Sequence, residues 1–118
     1  TTWELLAVLC ALRAWRSEAP QHAVAEVTSD SLGALAATRR RASRSPALSL
    51  LLQEIALEES ERNTRIVALR HIPGFSNTWA DALSRLYAPE ASSVPAALSA
   101  VPRTRLAPRT RSWWLTAP

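Results

Sequence analysis

The chain has 118 residues, enough for one domain, and its formal charge of +4 looks at first like a nucleic-acid signal. Divided by region that signal fades: residues 1–87 carry ten Arg against nine acids, while 88–118 carry four Arg against Glu90 alone. All fourteen basic residues are Arg, and a single cysteine, Cys10, excludes an internal disulfide or zinc framework.

No apolar run approaches the length of a membrane span, and the N-terminus lacks the charged start of a signal peptide. A partner membrane is therefore not expected, and an intracellular setting is, with cytoplasm and nucleus left undistinguished. The chain opens at a helix start without Met, as expected of a piece of a longer reading frame.

Over Thr2 to Arg16, Leu5, Val8, Leu9, Leu12 and Trp15 follow the three-and-four spacing of an amphipathic helix, which Pro20 is expected to end. Thr1 and Glu4 fit a capping box, the plain reading of Glu4. Ala23 to Thr28 is a valine-rich apolar run, expected to be a strand buried on both faces. It stops at Ser29-Asp30-Ser31. A carboxylate there lies where open α/β sheets place their chemistry, although Asp30 can equally cap the helix that LGALAATRR begins.

Thr38 to Ser45 (TRRRASRS) is expected to link two helices as a solvated loop, with phosphate contact by Arg39, Arg40 and Arg41 as the alternative. Ser45-Pro46 then starts a helix running to about Arg62. Leu48, Leu51, Leu52, Ile55 and Ala56 are assigned to its buried stripe, and Glu54, Glu58 and Glu61 to its wet side. Thr64 to Arg70 is a second strand candidate. From about Ser76 a short helix sets Asn77 and Asp81 one turn apart on one face, with Trp79, Ala80, Leu83 and Leu86 on the opposite, buried side.

The expected order over 1–87 is α, β, α, α, β, α, an α/β arrangement with two parallel strands. Two strands are too few to support four helices, so further strands are expected ahead of Thr1. Residues 88–118, rich in Pro, Arg and Ala, are expected to be a disordered tail, and Trp113-Trp114 within it receives no role.

Three blocks, ELLAVLCALRAW, VTSDS and HIPGFSNTWADALSR, together resemble the last motif blocks of type 1 ribonuclease H as found in retrotransposon polyproteins of the DIRS-like class. The resemblance implies a ribonuclease H-like fold that is incomplete here, its first three antiparallel strands missing. It matches Glu4, Asp30 and Asp81 to metal-holding carboxylates, His71 to a catalytic histidine aiding leaving-group protonation or product release, and Asn77 to a residue that positions nucleic acid. Ser31, Arg39, Arg40 and Arg41 are the further nucleic-acid contacts expected.

The implied reaction is hydrolysis of the RNA strand of an RNA–DNA hybrid with two Mg²⁺ ions about 4 Å apart, Mn²⁺ being an alternative. An upstream reverse transcriptase in the same polyprotein is the implied partner. The family carries one more aspartate, on its first strand, whereas no acid precedes Glu4. The isolated chain is therefore expected to be inactive, and a non-catalytic remnant with a structural or nucleic-acid-binding role is the alternative.

Overall fold

The structure, a computed structural model, describes residues 1–16, 18, 22–91, 93–103, 105 and 109–115; Pro20, the expected helix terminator, lies outside them. Two compact units are present: Thr1–His71 together with Leu106–Pro118, and Ile72–Arg105.

The first unit is α/β. Helix α1 spans Thr2–Ala14, strand β1 Val24–Ser29, α2 Leu32–Arg40, α3 Pro46–Arg62 and strand β2 Arg65–His71. The strands pair in parallel, from Val24 beside Arg65 to Ser29 beside His71, with a register shift between Ala25 and Glu26. Since parallel neighbours need a long crossover, α2 and α3 fill the connection. Among the described residues the sheet holds these two strands.

Leu5 and Leu9 of α1, Ala34 and Ala37 of α2, and Leu52 and Ile55 of α3 form the buried core, with Val8, Leu12, Leu48, Leu51 and Ile66 packed on it. Small alanines on α2 let it approach closely. The core draws apolar stripes from three helices, whereas β1 alternates exposed and half-buried residues instead of being buried on both faces. Val24 and Val67 are largely exposed. A strand turns alternate side chains to opposite faces, and among the described elements of this unit helix packing covers one of them.

Helix α3 starts at Ser45-Pro46 as expected, with Pro at the first turn, although the Ser45 side chain makes no capping bond. Its polar face is corrected by the structure. Glu54 and Glu58 are buried, whereas Ala56 is exposed. The cause is Arg13, itself buried near the end of α1, whose Nη2 donates to Glu54 at 2.7 Å and whose Nε donates to Glu58 at 3.3 Å. Arg16 adds a second cation, its Nε donating to Glu58 Oε1 at 2.7 Å.

Burial pushes the Glu58 carboxyl up, but the hydrogen bonds and charges of Arg16 and then Arg13 outweigh it and hold the group below its ordinary value. Glu59 ties the next elements together: it pairs with Arg41 at the end of α2 and accepts from the Ile66 amide of β2 at 2.8 Å.

The second unit holds a 3₁₀ turn, Gly74–Ser76, helix α4, Thr78–Ser84, and a four-residue turn α5, Ala96–Ser99. The apolar face expected to be buried on α4 is not. Trp79 and Leu83 remain about half exposed, and no residue of α4 is buried. A further short helix, α6, Arg111–Trp114, belongs with the first unit. No helix among the described residues is long and apolar enough to cross a membrane.

Candidate functional site

Strand β1 ends at Ser29, and the chain bends at Asp30 before α2. Ser29 Oγ accepts from the Ser31 amide at 3.0 Å, and Ser31 Oγ accepts from the Ala34 amide at 3.2 Å. Ser31 is thus the N-cap of α2. The capping alternative for Asp30 falls away, and Asp30 stands exposed at the C-terminal end of the strand.

The parallel register brings His71, the last residue of β2, beside Ser29, one position from Asp30. His71 is exposed as well. Both residues therefore lie along the edge formed by the carboxyl ends of the strands, the usual place for ligands in open α/β sheets.

Glu4 reaches the same end by way of α1. Its carboxylate lies 2.5 Å from the Thr1 ammonium. A hydrogen bond from that ammonium, supported by one from its own backbone amide, holds the Glu4 carboxyl below the ordinary range against a partial burial that raises it. Thr1 occupies the N-cap position but makes no side-chain cap bond, so the expected capping box is half formed: the glutamate reaches back, and the hydroxyl does not cap. That hydroxyl lies instead against α2, with Oγ1 2.8 Å from where a Cβ on Gly33 would stand. Only a residue without a side chain fits there undisturbed, so the first turns of α1 and α2 meet. Glu4, Asp30 and His71, far apart in sequence, share one end of the first unit.

Asp81 and Asn77 belong to the second unit. The Asp81 amide donates to the Asn77 carbonyl at 3.0 Å, closing the first turn of α4. Arg85 Nε donates to Asp81 Oδ1 at 3.0 Å, an exposed pair of small energetic value.

Arg39 and Arg40 are exposed at the far end of α2 from Ser31, about 14 Å away along a nine-residue helix. They lie within the helix and not in the linking loop; the connection itself is 41–45. Arg41 adopts the left-handed conformation, φ 56°, and its guanidinium is committed to Glu59. That hydrogen bond raises the Arg41 pKa in spite of partial burial.

Within either unit, among the described residues, no three His, Cys, Asp or Glu side chains form a metal-holding group. Glu4 and Asp30 nonetheless supply hard carboxylate oxygens, the donor class Mg²⁺ takes. The buried Arg13, Glu54 and Glu58 escaped the sequence reading, yet a signal was present. Arg13 continues the Leu5 and Leu9 series by one more turn, and Glu54 and Glu58 are themselves one turn apart. Comparison with known protein families, with curated proteins and with solved structures finds no match.

Proposed function

We propose that the chain is a ribonuclease H-like segment of a retroelement polyprotein, one that in complete form hydrolyses the RNA strand of RNA–DNA hybrids. The observation that supports this reading is the placement of Glu4, Asp30 and His71 toward one end of the first unit, on the elements and in the order the resemblance implies.

In this reading Glu4, Asp30 and Asp81 hold two Mg²⁺ or Mn²⁺ ions. Bound there, the metals would supply an activated water and a stabilised leaving oxygen. His71 carries a proton toward the leaving group or aids product release, and Asn77 and Ser31 orient the nucleic acid. Arg39 and Arg40 meet phosphates farther along the duplex. An upstream reverse transcriptase delivers the hybrid.

A non-catalytic module that binds nucleic acid is the second reading. It is favoured by the commitment of the Asp81 carboxylate to a cation of the chain itself, Arg85. One experiment separates the two. The catalytic reading expects the parent reading frame to place an aspartate-bearing strand ahead of Thr1, and the polypeptide that includes it to cleave the RNA of a hybrid with Mg²⁺. Asp30→Asn and Asp81→Asn should each abolish cleavage while hybrid binding persists. Binding without any metal-dependent cleavage would leave only the module.

A further inference from the structure

The arginine-rich connection between α2 and α3 surrounds one hydroxyl. Ser43 is the single Ser or Thr of the chain with Arg at both the second and the third position ahead of it, Arg41 and Arg40, and Arg44 follows it. Arg40 ends α2, Arg41 breaks the helix with φ 56°, and Ala42 and Ser43 have no regular structure before α3 begins at Pro46. Arg39, Arg40, Ala42 and Arg44 are exposed, and Ser43 is half-buried between them.

Ser43 Oγ accepts from the Ser45 amide at 3.1 Å, and the Ser43 carbonyl accepts from the Ser49 hydroxyl at 2.8 Å. Among the described residues the Ser43 hydroxyl proton has no acceptor, and Arg39, Arg40 and Arg44 form no ion pair. Arg41 is held by Glu59 through a half-exposed guanidinium, and Glu59 keeps the Ile66 amide at 2.8 Å when Arg41 turns away. Cations ahead of a hydroxyl on an irregular, exposed segment are what the acidic substrate groove of a kinase reads, because kinases select substrates by charge pattern. The neighbouring hydroxyls lack that setting. Thr38 precedes the arginines and is 3 % exposed, and Ser45 has Ala42 and Ser43 at its third and second positions ahead.

We propose that Ser43 is the acceptor for a serine kinase with an acidic substrate groove, and that phosphoserine there opposes nucleic-acid contact by Arg39 and Arg40. In the transfer Ser43 Oγ attacks the γ-phosphorus of ATP. The new O–P bond forms as the bond to the β-phosphate oxygen breaks, ADP leaves, and the hydroxyl proton passes to the kinase's catalytic carboxylate. The product carries about two negative charges and three acceptor oxygens, which pair with the flanking guanidinium groups and repel an incoming phosphate backbone. The modification stands on the connection alone, whereas its effect rests on the phosphate contacts proposed above for Arg39 and Arg40.

The test treats the full chain with ATP and a serine kinase that selects arginine two and three residues ahead of its acceptor. Fragmentation mass spectrometry should place one phosphoryl group on Ser43. Ser43→Ala should take none, and Arg40→Gln should slow incorporation roughly tenfold or more. No incorporation, incorporation at Ser45 instead, or an unslowed Arg40→Gln overturns the proposal. Binding to an RNA–DNA hybrid is then followed at rising salt. Phosphorylation should weaken it and reduce the steepness of log affinity against log salt by about 1–2, as Arg39→Gln with Arg40→Gln should, while unmodified Ser43→Ala binds as the wild type does. Unchanged binding after modification, where the Arg39 and Arg40 double variant is weakened, overturns the regulatory half. A double variant that binds like the wild type refutes the phosphate contacts themselves, and the regulatory half with them, whatever the mass spectrum gives.

Discussion

Replacing Arg13 by Met keeps the length of the side chain and removes every donor. Arg13, Glu54 and Glu58 expose only 3–4 % of their side chains, so surface screening does not soften the loss. Glu58 keeps Arg16, but Glu54 loses the 2.7 Å ion pair. Removing one partner of a buried ion pair costs about 3–5 kcal/mol, because the remaining charge stays out of water. Domains of this size are stable by about 4–11 kcal/mol in total. Arg13→Met should therefore remove about a quarter or more of the stability.

With a urea slope of about 1–2 kcal/mol per molar, the midpoint followed by far-UV circular dichroism should fall by roughly 1.5–5 M. Replacing Arg13, Glu54 and Glu58 all by Met should restore stability to within about 1 kcal/mol of wild type, since no uncompensated charge is then buried. A midpoint shift below about 0.5 M for Arg13→Met would falsify the claim that the network is dry and mutually dependent. A triple variant no better than the single one would show that the packing, and not the charge, carries the effect.

The depressed Glu58 carboxyl sets an acid limit: its contribution to stability is present above the ordinary value of 4.5 and is lost as pH falls through the lower folded value. Glu58→Gln should flatten the acid limb of a stability-versus-pH profile below that value. Asn63 closes α3 in the left-handed conformation, φ 51°, so Asn63→Ala should destabilise by about 1 kcal/mol in thermal melts while Asn63→Gly costs less. Leu9, 1 % exposed at the centre of the core, should cost about 2–5 kcal/mol as Ala, read from urea unfolding. Gly33→Ala should disturb the contact with Thr1, seen as chemical-shift changes at Thr1 and Glu4 in NMR spectra, because the new methyl would stand 2.8 Å from Thr1 Oγ1.

Periodicity and turn chemistry made the elements of 1–71 legible. The Leu5, Leu9 and Leu12 series marks α1, Ser45-Pro46 marks the start of α3, and valine-rich AVAEVT marks β1, each because local sterics and an apolar period act over a few residues. Asp30 at a strand end and Glu4 in a first turn were readable in the same way. Their neighbourhood was not: Ser29 beside His71 is a matter of strand register, and Thr1 against Gly33 a matter of helix docking.

The tertiary structure also overruled local patterns where a distant partner changed the cost of burial. Glu54 and Glu58 look wet on a helical wheel, but Arg13 of another helix compensates the charges and lets both go inside. Trp79 and Leu83 look dry, yet both stay about half exposed, since an apolar stripe is buried only by what packs against it. Local propensity and apolar period suffice to mark which segments become helix or strand and which residue types can do chemistry. Which charges are buried, and which carboxylates lie toward one end of the sheet, follows from packing between groups separated by tens of residues.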